Sequence, residues 1–317
     1  MYERLAAVCQ RLRATAQAVD ASFEPPAQQM AWLAESGYFR HTADVGPAER
    51  RRLLDLLSSG CGATAFLASQ HEASCRRLHR AAHPLFESAV KGEVWVGVCF
   101  AHLRRQPSPV AVTRQGQSLL FQGVGPWFSG VGLMSQVLVA GATDDGEFLM
   151  ALSPLERPEI EVGESTPLAV MNATATAPLA FHQLEVPLPD LVVTTSAAQM
   201  SQDDQHSTVF QSSRSLGVAR AAAEFLPASA RDRLLDRLEA QHQKMDAWDQ
   251  RPAWASAVAL RKEALELAAL AVQAALMSSG GAAHSLTHPV QRLAREASFY
   301  ATTQLTSELK EAFLNDL

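Results

Sequence analysis

The feature that most constrains this chain is a change of hydrophobic period, made twice. From Met1 to about Ala89, apolar residues recur every three or four positions, as in LAAVCQRLRATAQAV, AQQMAWLAESGYF and CGATAFLASQHEASCRRLHRAAHPLFESAV. That spacing lays an apolar stripe along an α-helix. Gly37, Gly46 with Pro47, and Gly60 punctuate the block as helix ends. The runs then become short and rich in β-branched and aromatic residues: GEVWVGVCFAHL, VAVTRQGQSLLFQG, SQVLVAGATDDGEFLMALS, IEVGE and PLAVMNATATAPLAFHQLEVP. Asp144 to Gly146 reads as a hairpin turn. From about His206 the helical spacing returns and holds to the end, cut by Pro227, Pro252 and Gly280–Gly281. The fold class this order predicts is α+β, mostly α: an N-terminal helical domain at 1–90, a middle antiparallel β-barrel or sandwich at 91–195, and a C-terminal helical bundle at 196–317.

Composition narrows the function classes. With 317 residues, 47% of them hydrophobic, the chain can bury a sizeable core. A net charge of −6, with no basic run longer than Glu49–Arg52, argues against a nucleic-acid partner. The N-terminal segment alternates charge with apolar residues and reads as an amphipathic helix rather than a signal peptide. No apolar run reaches the ~18 residues of a membrane span. A cytoplasmic protein with no membrane partner is expected. Cys9, Cys61, Cys75 and Cys99 are scattered without a CxxC pair, which suits reduced thiols.

One string near the end is more specific. Gly280, Gly281, Pro289, Val290, Arg292, Arg295, Glu296 and Ala297 keep the spacing of a motif found in the acyl-CoA dehydrogenase superfamily, with Glu where that family has Asp. The chain resembles this family over nearly its whole length. FQGVGPWFSG is similar to the family's Gly-x-x-x-Trp-x-Thr/Ser string, placing Gly123, Trp127 and Ser129, and Val186–Pro187 match the strand that leads into the bundle. The resemblance implies a flavin oxidoreductase holding FAD, with FMN as an alternative. It also implies an acyl thioester substrate, on CoA or a carrier protein, and a homodimer or homotetramer. Phe100, Ala101, Trp127, Ser129 and Thr306 are the cofactor-side positions it marks. An indole face and a short hydroxyl suit a flat, partly polar heterocycle, although a buried Trp in a turn gives the same string.

The departures are informative too. Ala101 and His102 stand where the family has Thr and Glu, the Arg-x-x-Phe-Gly turn between Gly217 and Gly280 is missing, and Met277 replaces a common Gln. The most consequential change concerns the base. Removing the α-proton of an acyl thioester requires a carboxylate within hydrogen-bond reach. In most family members it falls seven residues after the Arg-Asp-Ala, which here is Gln304, followed by Leu305 and Thr306. A second family solution puts it ten residues before the Gly of Leu216–Gly217, and that position is Ser207. Neither is basic near neutral pH. His206, next to Ser207, is a candidate base or a solvated histidine. His71 corresponds to a histidine typical of the dibenzothiophene monooxygenase-like branch, which needs no carboxylate; its alternative is a surface histidine on an amphipathic helix. His71, Cys75, His79 and His83 step by four, but such a row drifts round a helix, and no metal site is expected.

Three readings stand side by side: a dehydrogenase-type flavin oxidoreductase with Gln304 at the position of the usual Glu, a reduced-flavin monooxygenase, and a flavin-free relative acting in binding or assembly. Fold alone does not choose among them.

Overall fold

The computed structural model describes residues 1–105 and 107–315; Gln106, Asp316 and Leu317 lie outside the described residues. Six helices come first: α1 (Tyr2–Asp20), α2 (Ala27–Glu35), α3 (Tyr38–Asp44), α4 (Pro47–Gly60), α5 (Gly62–Arg80) and α6 (Phe86–Val90). Gly37 separates α2 from α3 in a left-handed conformation, φ 81°, which a residue without Cβ adopts at no steric cost. Pro47 opens α4, where a missing N–H costs nothing.

Eight strands follow: β1 (Val96–Cys99), β2 (Val110–Gln115), β3 (Ser118–Phe128), β4 (Gln136–Ala142), β5 (Glu147–Pro154), β6 (Ile160–Val162), β7 (Ala177–Pro187) and β8 (Leu191–Ser196). They form one sheet in the order β6-β7-β3-β2-β4-β5-β8, with β1 joined to β4. The sheet is mixed rather than purely antiparallel. β1 runs parallel to β4, Val96 opposite Gln136, and β2 touches β4 in parallel at Ala111 and Ala142. The chain leaves β1 through a 3-10 turn, Ala101–Arg104, and forms the β2–β3 hairpin before it returns as β4 in the same direction. The β4–β5 hairpin turns at Thr143–Gly146, closed by Gly146 N–H to Thr143 O at 3.1 Å.

The C-terminal part is a bundle of α7 (Ala197–Ala222), α8 (Ala228–Gln250), α9 (Trp254–Ser279), α10 (Pro289–Thr302) and α11 (Ser307–Leu314). Ser196 Oγ caps α7 by accepting from Gln199 N–H at 3.2 Å. α4 crosses α7 at Gly217, where a Cβ would collide with the Asp55 carbonyl oxygen. Charges hold the same junction. Asp55 accepts from Arg220 (2.7 and 3.0 Å) and from His242 (2.7 Å), and Arg51 reaches Asp246 and Asp249, each at 2.7 Å.

The core divides accordingly. One cluster joins the first helices to the sheet through Leu12, Phe39, Leu57, Phe121, Phe128 and Phe181. A second fills the bundle with Leu216, Leu238, Met245, Leu267, Leu293 and Tyr300. The run Ala264–Leu276 is less enclosed than its composition suggests: Leu270 is 53% exposed, and Met277 beyond it 75%. α9 is long and apolar enough to span a membrane by those measures, yet it packs against α7, α8, α10 and α11.

Candidate functional site

α10 ends at Thr302, α11 begins at Ser307, and the loop between them carries Gln304. Gln304 has φ 53°, a left-handed backbone that residues with a Cβ seldom adopt and that recurs at functional sites. Thr303 Oγ1 donates to Phe299 O at 2.9 Å before this residue, and Thr306 Oγ1 accepts from Leu309 N–H at 3.2 Å after it, capping α11. The loop is therefore anchored on both sides. Its apex aims the amide at α7, where Ser207 Oγ donates to Gln304 Oε1 at 3.1 Å. Both side chains are half-buried. The two sequence positions where a carboxylate was sought are thus in contact, and both are neutral. Phe299, one turn before the loop, meets Phe66 of α5 edge-on at 5.3 Å.

His71 lies elsewhere, in the core of the N-terminal half. Val96 N–H donates to its Nδ1 at 3.0 Å, and its Nε2 is 2.9 Å from Ala89 O. This fixes the tautomer with the proton on Nε2. Phe39 and Trp95 pack on the ring at 4.7 and 4.8 Å. Burial pushes the imidazole down to about 4, although its two backbone hydrogen bonds pull the other way. Both nitrogens are occupied and the ring is fully buried, so His71 ties α5 to α6 and β1 rather than facing a ligand. The row it begins does not converge. His79 pairs with Asp44 and His83 with Asp190. Among the described residues no three His, Cys, Asp or Glu side chains are placed to hold a metal. His206 is exposed on α7 with its ring against Trp248 of α8, 5.1 Å between centroids, whereas Ser207 turns toward Gln304.

The β-domain contributes a second group. Trp127 sits on the outward side of β3 with 47% of its surface exposed, beside exposed Val124. Gly123, φ 129°, lets β3 bend against the Pro109 carbonyl. After Trp127 the chain is fastened to the loop before β7, where Gly130 N–H donates to Thr174 O at 2.7 Å. Ser129, Thr176 and Thr174 form a chain of hydroxyls, 2.7 and 2.9 Å apart, that ends on Met171 O at 2.8 Å. A hydroxyl has one proton to give, so the end of the chain sets its direction. Thr174 donates to Met171 O, Thr176 must donate to Thr174, and Ser129 must donate to Thr176. Ser129 therefore offers only lone pairs outward. Met171 and Ala175, both non-glycine residues with positive φ (61° and 41°), flank this loop. Sequence reading missed Thr174 and Thr176, whose only signal was the run of hydroxyls in MNATAT.

Phe100 and Ala101 lead into the 3-10 turn after β1. Ala101 is exposed, and the Arg77 guanidinium covers the Phe100 ring at 4.8 Å. His102 is buried, its Nε2 2.9 Å from Ala140 O, and burial lowers its pKa. Arg104 pairs with Asp204, one turn of α7 before Ser207, and so links the β-domain to the bundle. The loop before β7 packs on α5, the helix that also carries Phe66. Among the described residues no hydrogen bond or ring contact joins Trp127 or Ser129 directly to Gln304.

No protein-family model matches this chain, and no curated protein matches it in sequence. Solved structures do match in shape. Butyryl-CoA dehydrogenase from Megasphaera elsdenii is 14% identical with a TM-score of 0.81, covering 98% of this chain and 94% of its own. A glutaryl-CoA dehydrogenase from Mycobacterium smegmatis, in complex with FADH2, is 15% identical with a TM-score of 0.78, covering 97% and 91%. Dibenzothiophene monooxygenase from Paenibacillus sp. A11-2 is 15% identical with a TM-score of 0.73, covering 99% and 97%. Helices at both ends of an eight-stranded sheet, shared along nearly the full length of these enzymes, give the chain the fold of the acyl-CoA dehydrogenase superfamily.

Proposed function

We propose that this chain is a flavin-dependent oxidoreductase acting on an acyl thioester, carried by CoA or by a carrier protein, with the neutral pair Ser207 and Gln304 at the reacting position. The observation that carries the reading is their contact. Two segments 97 residues apart, each of which supplies the carboxylate in one version of this chemistry, meet at 3.1 Å as hydroxyl and amide. With Ser207 donating to Oε1, the Gln304 NH2 is left to donate to a thioester carbonyl. The pair can orient and polarise that carbonyl, but it cannot hold an abstracted proton.

FAD is the cofactor proposed, with FMN as the alternative, and the residues present fit a flavin. The exposed indole of Trp127 offers a flat apolar face, and Ser129 presents an acceptor suited to a ring N–H. Bound flavin would supply the two-electron acceptor or, when reduced, the means of activating oxygen. Thr306 already accepts from Leu309 N–H to cap α11, which leaves its proton and one lone pair for a ligand. A homo-oligomer is proposed on the apolar surface of α9, where Leu270 and Met277 lie two helical turns apart and exposed.

One observation favours a second reading, the reduced-flavin monooxygenase: hydrogen-bonding groups without a base. Against it stands the buried, doubly engaged His71. A single series of measurements separates the readings. Purified protein is titrated with FAD and FMN, then mixed anaerobically with acyl-CoA, in the wild type and in Gln304→Glu. The expected result is a yellow protein whose flavin bleaches slowly, and at least ~100-fold faster in the variant, within the range general-base catalysis contributes. No bleaching, with oxygen consumed only when reduced flavin is supplied, selects the monooxygenase. A colourless protein that gains neither absorbance nor stability from either flavin removes both enzymes and leaves the binding or assembly reading.

A further inference from the structure

We propose that the acyl group accepted here is short and ends in a carboxylate, and that Arg214, buried on the same face of α7 as Ser207, is the residue that selects it. This rests on the acyl-thioester reading above and names its substrate class.

The inference starts from charge. Among the described residues four arginines are buried: Arg51, Arg214, Arg261 and Arg292. Arg51 has Asp246 and Asp249 at 2.7 Å, and Arg292 has Glu296 at 2.6 Å, as buried cations ordinarily require. Arg214 and Arg261, each 2% exposed, have no carboxylate partner among the described residues. Arg214 donates to Ser69 Oγ at 2.5 Å and lies over Phe66 and Tyr300, at 5.1 and 5.9 Å; its Nε is buried without a partner. Arg261 donates to Tyr300 O at 2.6 Å and to Ser215 Oγ at 3.4 Å. The nearby acid, Glu72, is taken by Arg50 at 2.7 Å and by the Tyr38 hydroxyl at 3.2 Å. Burial lowers both pKa values, Arg261 to about 9, and Arg214 lowers that of Arg261 further. Among the described residues, the bundle therefore holds two neighbouring cations with no carboxylate paired to either.

Position turns this excess of charge into a specificity device. Ser207, Gln211 and Arg214 are spaced i, i+4 and i+7, so they share one stripe of α7. The first touches Gln304. The second is 5% exposed with a buried, unpartnered Oε1. Seven residues of α-helix span about 10 Å. Helical side chains lean toward the N-terminus, which brings the guanidinium back toward Ser207. Phe66 and Tyr300 flank the Arg214 guanidinium, and Phe299, one turn before the Gln304 loop, meets both of those rings edge-on. The stripe thus runs from a polar pair suited to a thioester carbonyl, past the buried Gln211 amide, to an unpaired cation set among aromatic rings. A succinyl- or glutaryl-sized group matches that order of chemistry. A plain alkyl end would leave Arg214 without a counter-charge.

The test compares binding of succinyl-CoA with that of 4-methylpentanoyl-CoA, which has the same branched shape without the charge, to wild type, Arg214→Met and Arg214→Lys. Tryptophan fluorescence or calorimetry reads binding without depending on turnover. The expected result is that wild type binds succinyl-CoA roughly 10- to 100-fold more tightly, as hydrogen bonds to charged groups permit. Arg214→Lys keeps part of the preference, and Arg214→Met, which removes the unpaired cation, abolishes it without lowering the unfolding temperature. Equal affinities in wild type, or a preference that survives Arg214→Met, overturn the proposal while leaving the thioester reading intact. If neither thioester binds but succinate alone raises the unfolding temperature of wild type and not of Arg214→Met, the carboxylate site stands and the thioester reading falls. If thioesters and succinate are all without effect, both fall. Should Arg214→Met fail to fold, soluble Arg214→Lys decides the same question: a reduced preference supports the selecting role, because Lys keeps the charge but not the guanidinium fork, and an undiminished preference overturns it.

Discussion

His71 provides a sharp test of whether a conspicuous histidine is structural, because its environment fixes a number. Burial holds its folded-state value at about 4, well below the ordinary imidazole value of 6.5. A base with a depressed pKa contributes stability that is complete above its unfolded value and is lost as pH falls toward its folded value. The unfolded chain binds the proton first, so the window is pH 6.5 down to 4. Between pH 7.5 and pH 5.0 the linkage integral gives a loss of about 2 kcal/mol from this one side chain. Other groups titrate over the same interval, so the measurement is a double difference. Urea unfolding of wild type and of His71→Gln is compared at both pH values. Gln can still accept from Val96 N–H or donate to Ala89 O but has no titration. The gap between the two proteins should shrink, or change sign, by about 2 kcal/mol on going to pH 5.0. A change below ~0.5 kcal/mol would mean that the folded imidazole can be protonated at little cost. That would restore His71 as a group exposed to a ligand, and with it the strongest link to the monooxygenase branch.

Two further outcomes follow from contacts of different kinds. Glu296 Oε1 accepts from Gly62 N–H at 3.2 Å and from Arg292 at 2.6 Å, and a Cβ on Gly62 would lie 2.5 Å from Glu296 Cδ. Gly62→Ala should therefore cost about 2–3 kcal/mol in thermal or urea unfolding, whereas in a Glu296→Ala background it should cost nothing, Ala being the better helix former; additive costs would refute the coupling. Trp127→Ala, at an exposed position, should move stability by less than ~0.5 kcal/mol yet weaken FAD binding about tenfold in a fluorescence titration. Unchanged FAD affinity would separate the indole from any flavin.

What the sequence made legible follows from which forces are local. Period, caps and turns are written in neighbouring residues, so Gly37, Pro47 and the Thr143–Gly146 turn fall where the pattern puts them. The parallel pairing of β1 with β4 escaped notice because nothing within either strand encodes its partner; that depends on the intervening hairpin. Ala264–Leu276 looks buried on most faces because few of its positions are polar, while exposure of Leu270 depends on which faces α7, α8 and α10 occupy. The same distinction applies at the site. Gln304 and Ser207 could be singled out separately by position, but their contact across 97 residues could not be read. Arg214, in SSRSLGVA, looks like one more charge on a helix, and only the fold shows that no acid reaches it. The Glu at 296, in place of the family's Asp, becomes intelligible only with Gly62 beside it.

The neutral pair and the unpaired cations also belong to one electrostatic arrangement. Gln304 lies in the loop four residues after Tyr300, and Tyr300 touches both Arg214 and Arg261. A site of that sign stabilises negative charge developing on a thioester oxygen and opposes a group that must gain a proton. It also limits what restoring the carboxylate can do. In Gln304→Glu the nearby cations would hold the new acid ionised and lower its pKa, making it a weaker base than one in an unbiased site. Adding Arg214→Met should raise that pKa and increase the rate of flavin bleaching by an uncharged acyl thioester beyond the single variant. If the double variant is no faster, the cations do not act on residue 304, and the charge and the missing base are independent features of the fold.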